Sequence, residues 1–190
     1  NQAQRCHREL QILSCINHEN IVKMRFMFTP DASPEKLNAV YLVTDFAGVD
    51  LHEIIEGESS HRHSIGFSQV KRIILELLRA LQYLNDAKVI HRDLKPQNMA
   101  LDVRGKLTLL DFGLARVVDD DRPMTKGPGT IHYRAIETII EADCRYDERA
   151  DMWSLGAILC ELITGKAIFD DTAPLHKAIQ YCGPIGPNVL

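Results

Sequence analysis

Apolar residues recur at helical spacing in three stretches of the chain. Leu10 and Leu13 predict an amphipathic helix at the start. Residues 149–164 are apolar nearly all round, which is typical of a helix buried on all sides, and Gly165 is a natural stop. A longer amphipathic helix, with Ser68 as its N-cap, is predicted by apolar positions that follow the i, i+3, i+4, i+7 rule. These positions are Val70, Ile73, Ile74, Leu77, Leu81 and Leu84.

Short runs rich in β-branched and aromatic residues predict strands between the helices. The predicted strands are 20–28, 40–44, 88–90, 99–101 and 107–110. Two further stretches, 56–66 and 119–130, lack periodicity and predict loops. The second contains Pro123, Gly127, Pro128 and Gly129. A long exposed loop in a compact domain is often functional.

Composition narrows the class of protein. The chain has 190 residues, 22 basic and 26 acidic side chains, a net charge of −4, and 45% hydrophobic residues, which excludes a disordered chain. Its mild acidity argues against nucleic acid or an anionic membrane as the main partner. Five Cys do not make a disulfide scaffold, so we expect an intracellular protein, in the cytoplasm, the nucleus or both. The most apolar stretch, Met152–Cys160, is shorter than the roughly 18 residues of a membrane span.

The polar residues of one predicted loop suggest a chemistry. The segment 91–98 reads His-Arg-Asp-Leu-Lys-Pro-Gln-Asn and places Asp93, Lys95 and Asn98 between short strands. Asp111, followed by Phe-Gly, ends the next strand pair. One acid as a base, a second acid with an amide around Mg²⁺, and a Lys on the transferred group are what phosphoryl transfer requires.

These two segments resemble the catalytic loop and the D-F-G element of protein kinases. An A-P-E-like triplet, Ala135-Ile136-Glu137, and the segment Asp151-Met152-Trp153-Ser154-Leu155-Gly156 follow in the order that this family shows. Each motif alone is weak, since a lone D-F-G is usually a turn, but the ordered set is specific. Further features resemble the mitogen-activated kinases, in particular their stress-activated branch. These are residues 18–22 (His-Glu-Asn-Ile-Val), 41–44, 96–98, 124–125 and 133–134.

The resemblance implies an α+β fold of the protein kinase type. Residues 1–190 would form a partial kinase domain. Residues 1–46 would be a remnant of the small N-lobe sheet, starting from helix αC, and 47–190 the hinge and the mostly helical C-lobe through about the start of αG. The chain contains no Gly-rich phosphate loop and no upstream strand Lys, so we expect the 190-residue chain alone to be inactive. A two-strand sheet remnant would also have exposed edges, so we expect aggregation.

By the same resemblance, Asp93 would be the base that orients the substrate hydroxyl and Lys95 would contact the γ-phosphate. Asn98 and Asp111 would hold Mg²⁺, and a Lys two positions after the base implies Ser/Thr substrates. Asp151 would hold the catalytic-loop backbone. Contacts to ATP are implied for a set of hinge and floor residues. They are the gatekeeper Thr44, the Asp45 carbonyl and the Ala47 N–H at the adenine edge, Asp50 at the ribose, Ala100 at the adenine floor, and Leu110 at the position before the metal carboxylate.

Regulatory roles are implied for six residues. Glu9 matches the αC acid whose partner Lys would lie upstream. A Thr-x-Tyr pair is normal here, but Gly127 replaces the Tyr and Ile131 replaces one Arg of its receptor, while Arg134 remains. Thr125 could still be phosphorylated, and the Arg cluster that would clasp it comprises Arg5, Arg8 and Arg92. The alternative is that these three Arg merely face solvent.

The implied function is a protein serine/threonine kinase that transfers the ATP γ-phosphate to protein substrates with Mg²⁺, under an upstream MAP kinase kinase. Intact Asp93, Lys95, Asn98 and Asp111 favour this reading. The altered activation segment favours a catalytically inactive interaction module, and a truncated remnant is a third alternative. His61 and His63 are interpreted as part of a solvated loop, because no third metal ligand stands at sensible spacing.

Overall fold

A computed structural model of the chain describes residues 2–31, 38–57, 65–118, 129–140, 147–169 and 174–183. Helices in these ranges are α1 (Gln2–Cys15), α2 (Leu51–Glu56), α3 (Phe67–Asp86), α4 (Ile136–Ile140), α5 (Arg149–Thr164) and α6 (Pro174–Cys182). Strands are β1 (Met24–Phe28), β2 (Tyr41–Thr44), β3 (Val49–Asp50), β4 (Val89–Ile90), β5 (Met99–Leu101), β6 (Leu107–Leu109) and β7 (Arg116–Val117). Two 3₁₀ turns cover Pro96–Asn98 and Ile131–Tyr133.

The strands form three small antiparallel sheets. β1 pairs with β2, β3 with β5 and β5 with β6, and β4 with β7. In the β5–β6 hairpin Met99 lies opposite Leu109 and Leu101 opposite Leu107. The Asp102 carboxylate caps the intervening turn by accepting hydrogen bonds from backbone N–H groups in it. This hairpin therefore holds the end of the catalytic loop and the start of the D-F-G segment side by side.

The core lies between α3, α5 and the β5–β6 hairpin. Ile73 and Leu77 are fully buried, which confirms the predicted apolar face of α3. Helix α5 buries Ile158 fully but leaves Met152 45% and Ile163 64% exposed, so the prediction of a helix buried on all sides was wrong: one face of α5 packs on the core and the opposite face is partly open. On α3 the buried Glu76 accepts a 2.6 Å hydrogen bond from the Leu107 N–H and pairs with Arg72 at 2.9 Å. Helix α3 is thus tied to β6 by a charge-assisted bond as well as by apolar packing.

The predicted end of α5 agrees with the structure, whereas the predicted start of α3 does not. Gly165 ends α5 in the left-handed conformation, φ 71°, and its N–H donates to the Glu161 carbonyl, as expected of a glycine stop. The assignment of Ser68 as the N-cap of α3 was wrong. Gly66 precedes the helix, and its carbonyl accepts from the N–H groups of Gln69 and Val70, so Ser68 lies inside the first turn.

Helix α2 was missed by the sequence analysis. Asp50 is its N-cap, and its carboxylate accepts from the N–H groups of His52 and Glu53 at 2.7 and 3.2 Å. An Asp followed three residues later by Glu is a known N-terminal signature and could have revealed the helix. The strand predicted over 20–28 is shorter than expected and starts at Met24. Before it, Asn20 is buried and bonds to β6 instead.

The predicted loops at 56–66 and 119–130 fall largely outside the described residues. So do His61, His63 and Thr125. Within the ranges that the structure describes, no helix has both the length and the apolar character needed to cross a membrane.

Candidate active site

The segment 91–98 is held in place by a carboxylate from α5. Asp151 is buried, and its two oxygens accept hydrogen bonds from the backbone N–H groups of His91 at 2.8 Å and Arg92 at 3.0 Å. Arg92 has φ 72°, a left-handed conformation that L-residues rarely adopt. Two charge-assisted bonds at this bend stabilise it. The predicted role of Asp151 in holding the loop backbone is confirmed.

Asp93, Lys95 and Asn98 meet in one hydrogen-bonded cluster. The Asn98 side-chain amide donates to the Asp93 carboxylate at 3.0 Å and to the Asp93 carbonyl at 2.8 Å. The Lys95 Nζ lies 3.1 Å from the same carboxylate oxygen. Asp93 is 7% exposed, so these bonds form in a setting where their electrostatic strength is raised. The residues predicted for base, phosphate contact and metal are therefore adjacent.

Thr130 joins this cluster, although the sequence analysis assigned it no role. Its N–H donates to the second Asp93 oxygen at 3.1 Å, and its hydroxyl accepts from Lys95 at 3.1 Å. The close approach depends on Gly129, at φ 105°, where a Cβ atom would stand 2.7 Å from the Arg92 carbonyl oxygen. No spacing in the sequence marks Thr130, because 35 positions separate it from Lys95.

The buried His91 connects the catalytic loop to the D-F-G segment. Its Nε2 lies 2.9 Å from the Leu110 carbonyl oxygen, and its Nδ1 accepts the Asp93 N–H at 3.4 Å. These partners fix the tautomer with the proton on Nε2. The ring also meets the buried Phe112 edge to face at 5.0 Å. A movement of either segment would therefore be transmitted to the other.

Asp111 stands beside Asn98. The Leu110 N–H donates to the Asn98 carbonyl at 2.8 Å, and Asp111 then turns outward at φ 54° with an exposed carboxylate. Asn98 has committed its amide nitrogen to Asp93, so its amide oxygen is the atom that remains for a cation. An amide oxygen and an exposed carboxylate are hard oxygen ligands, which fit Mg²⁺. When bound there, Mg²⁺ would neutralise phosphate charge.

Glu9, on α1, faces the D-F-G segment. Burial and the nearby Asp111 carboxylate raise the pKa of Glu9, while a hydrogen bond from the Phe112 backbone opposes this rise. Its Oε2 atom would lie 3.7 Å from a Cβ at Gly113. Thus the acid expected to pair with an upstream Lys lies against the Asp111–Gly113 turn.

The residues predicted to contact ATP lie in or just after strands of two sheets, β1–β2 and β3–β5–β6. Thr44 ends β2, and Asp45 and Ala47 follow it toward β3. Asp50 in β3 lies directly opposite Ala100 in β5. Ala100 is buried and Leu110 is half-buried. Both hydrogen bonds by which the Asp50 carboxylate caps α2 go to Oδ1, so Oδ2 is not used by the cap and could make the predicted ribose contact.

The segment 129–134 is attached to α5 by two buried bonds. The Tyr133 hydroxyl donates to the Glu161 carboxylate at 2.7 Å, and the Ser154 hydroxyl donates to the Tyr133 carbonyl at 2.6 Å. Burial raises the pKa of both Tyr133 and Glu161. Arg134 donates to the Gly129 carbonyl. One helix, α5, therefore positions both the catalytic loop, through Asp151, and the segment that contacts it.

The predicted phosphothreonine cluster is only partly described. Arg5 is exposed and Arg8 is half-buried on α1, while Arg92 is buried in the catalytic loop. Thr125 lies outside the described residues, so the clasp stays a prediction.

Comparison with known proteins identifies the family. A model of the protein kinase domain matches residues 1–183. The chain therefore belongs to the protein kinase family. A chain of the yeast RNA Pol II CTD kinase CTDK-1 complex superposes with a TM-score of 0.80 at 28% identity, over 93% of this chain and 56% of that one. The expected kinase fold, mixing helices with a few strands, is confirmed.

Three of the most similar curated relatives are mitogen-activated kinases, which confirms the resemblance drawn from the sequence. Mitogen-activated protein kinase 14 of Xenopus laevis is 39% identical over 99% of this chain and 51% of its own length. Mitogen-activated protein kinase 12 of Mus musculus is 41% identical over 99% of this chain and 50% of its own length. Mitogen-activated protein kinase pmk-3 of Caenorhabditis elegans is 38% identical over 99% of this chain and 40% of its own length. The chain thus spans about half the length of the curated relatives it matches.

Proposed function

We propose that this chain is the central part of a serine/threonine kinase that transfers the γ-phosphate of ATP to protein hydroxyls, with Mg²⁺, in a mitogen-activated cascade. Asp93 would orient the hydroxyl, Lys95 would neutralise the phosphate, and Asn98 with Asp111 would hold the metal. Residues 1–46 would belong to the small lobe and 47–190 to the hinge and large lobe. An upstream MAP kinase kinase is the proposed activator.

One observation carries the proposal. Asp93, Lys95 and Asn98 form a single cluster, and the Leu110–Asn98 bond sets Asp111 beside it. Phosphoryl transfer needs little covalent chemistry from the protein, so the positioning of these charges is the feature that matters. The 39% and 41% identity to mitogen-activated kinases supports the choice of class.

The test is phosphate transfer by the full-length protein to peptides that carry Ser, Thr or Tyr as the sole acceptor. Asp93→Asn and Asp111→Asn should each lower kcat by about 10²-fold or more. Asp147→Asn, a change at the start of α5, is the control and should leave the rate unchanged. Transfer to Tyr peptides alone, or full activity in Asp93→Asn, would contradict the proposal.

Regulation is proposed to act through Thr125 alone, because Gly127 stands in the place of the second acceptor. A phosphate there would be clasped by Arg5, Arg8 and Arg92. Thr125→Ala in the full-length protein should abolish activation by an upstream kinase, and Thr125→Ser should retain it. Equal activity of Thr125→Ala and the unsubstituted protein would refute single-site control.

A second candidate is a catalytically inactive kinase-like interaction module. The observation in its favour is the altered activation segment, in which Gly127 stands in the place of the second phosphorylated residue and Ile131 replaces one Arg of its receptor. Binding of Mg²⁺ and ATP without any transfer, in a full-length protein with an intact upstream Lys, would favour this candidate over the enzyme.

A further inference from the structure

Strand β1 contains a bulge at Arg25. Met24 lies opposite Thr44, but Phe26 lies opposite Val43, so Arg25 is an extra residue with no partner across the sheet. A bulge often re-aims a side chain beside a functional site. Here the bulge stands next to the last residue of β2, where the hinge segment starts.

The Arg25 side chain is directed onto the first hinge residue. Its guanidinium pairs bidentately with the Asp45 carboxylate, through Nε to Oδ1 and through Nη2 to Oδ2 at 2.8 Å. The Asp45 N–H also donates to the Lys23 carbonyl at 3.1 Å. Asp45 is therefore held by its backbone and its side chain together, and the planar guanidinium fork limits its orientation in a way a Lys cannot.

Electrostatics agree with this geometry. The hydrogen bond from Arg25 lowers the pKa of Asp45, and the same bond raises the pKa of Arg25. Both groups therefore stay charged across the physiological range. The two side chains are 54% and 44% exposed, so salt will screen the pair.

The other end of the hinge is anchored by a close backbone contact. Gly48 has φ 117°, and a Cβ there would lie 2.0 Å from the Leu101 carbonyl oxygen. Between the two anchors stand Ala47 and Phe46, whose side chain is 91% exposed and supplies no packing. The hinge thus depends on its ends for its shape.

We infer that Arg25 is a positioning residue for the nucleotide, and that it acts by holding Asp45 so that the hinge backbone keeps the orientation needed at the adenine edge. This inference rests on the proposed function, in which the Asp45 carbonyl and the Ala47 N–H contact adenine. Nothing in the catalytic loop substitutes for Arg25, because the catalytic loop meets the phosphates rather than the base.

The effect expected is modest, since exposed ion pairs are weak. In the full-length protein, Arg25→Gln should raise the Kd of an N-methylanthraniloyl derivative of ATP about two- to fivefold, and Arg25→Lys should restore only part of this loss. The double change Arg25→Asp with Asp45→Arg restores a pair of opposite charges, so its Kd should lie within about twofold of that of the unsubstituted protein. At 0.5 M salt the difference in Kd between Arg25→Gln and the unsubstituted protein should become smaller, because salt screens the ion pair.

The matched control is Arg149→Gln, which breaks another bidentate pair of an exposed Arg, through Nε to Oδ1 and Nη2 to Oδ2 of Asp147, far along the chain from the hinge. It should leave the Kd unchanged. A second readout is hydrogen exchange of residues 45–48 without nucleotide, which Arg25→Gln should accelerate and Arg149→Gln should not.

Equal exchange at 45–48, or an equal Kd, in Arg25→Gln and the unsubstituted protein would overturn the inference. A rise in Kd of the same size in Arg149→Gln would do so as well. Failure of the unsubstituted protein to bind the probe would instead overturn the proposed function, and the nucleotide role of Arg25 with it. The exchange measurement distinguishes the two failures, because it reports the hinge anchor without any ligand.

Discussion

Removing the Asp151 carboxylate is expected to destabilise the catalytic loop more than any other single change at the start of α5. In Asp151→Ala the backbone N–H groups of His91 and Arg92 lose their acceptor while they remain buried. Arg92 also keeps its left-handed bend at φ 72° without the bonds that stabilise it. The loop that carries Asp93 should therefore loosen before the rest of the fold does.

The magnitude follows from these two bonds. Each orphaned buried N–H costs about 1–3 kcal/mol, which gives about 2–6 kcal/mol together. Part of this loss is offset, because burial raises the pKa of Asp151 and its charge is itself costly to bury. A net loss of about 3 kcal/mol is expected. Asp151→Asn should lower the unfolding free energy by about 2 kcal/mol. The amide oxygen can still accept from one of the two N–H groups, but the amide NH₂ would face the other N–H, donor against donor.

The assay is urea unfolding of the full-length protein, followed by the fluorescence of Trp153, which stacks on Phe169 at 5.4 Å. Asp147→Ala is the control, because that side chain pairs with the exposed Arg149 and should contribute under about 1 kcal/mol. If Asp151→Ala lowers the unfolding free energy no more than Asp147→Ala, the proposed anchoring of the loop is refuted.

Three further predictions concern stability. Gly48→Ala should lower the unfolding free energy by about 2–4 kcal/mol, because the new Cβ would lie 2.0 Å from the Leu101 oxygen. Gly57→Ala, which also has a positive φ of 57° but open space around the Cβ, should lower it by only about 1–2 kcal/mol. Thermal melts of the two variants compare these losses. Tyr133→Phe should lose about 1–3 kcal/mol in urea unfolding, since the buried Glu161 loses its donor; an unchanged midpoint would refute this. Burial raises the pKa of Glu161 above its ordinary value of 4.5, so the folded state binds the carboxyl proton more tightly than the unfolded state does. The stability gained in this way is present below pH 4.5 and is lost as the pH rises through the raised pKa of the folded state. Glu161→Gln should remove this fall, and its stability relative to the unsubstituted protein should increase from pH 4 to pH 7; a constant difference would contradict the assignment.

Several parts of the fold were predictable because their signals are local. The periodicity of 70–84 reports which face of α3 is buried, and the structure confirms it. The uniform apolarity of 149–164 correctly indicated a helix, but not its burial on all sides, because Met152 and Ile163 are exposed. Helix α2 was missed because six residues are too few for a periodic pattern, and only the Asp50 cap marks it. Ser68 misled the analysis because a good capping residue two positions inside a helix looks the same in the sequence as one at its start.

The sequence by itself determined the family and the chemistry-bearing loop, since Asp93, Lys95 and Asn98 lie within six consecutive residues and their types alone suggest phosphoryl transfer. Only the tertiary structure decided what holds that loop. The Asp151 carboxylate meets the His91 N–H across 60 positions, and Thr130 reaches Asp93 across 37. Such contacts arise from the packing of α5 against the loop and from a glycine that permits close approach at 129. No pattern along a single chain encodes these distances, because they depend on which faces are buried together.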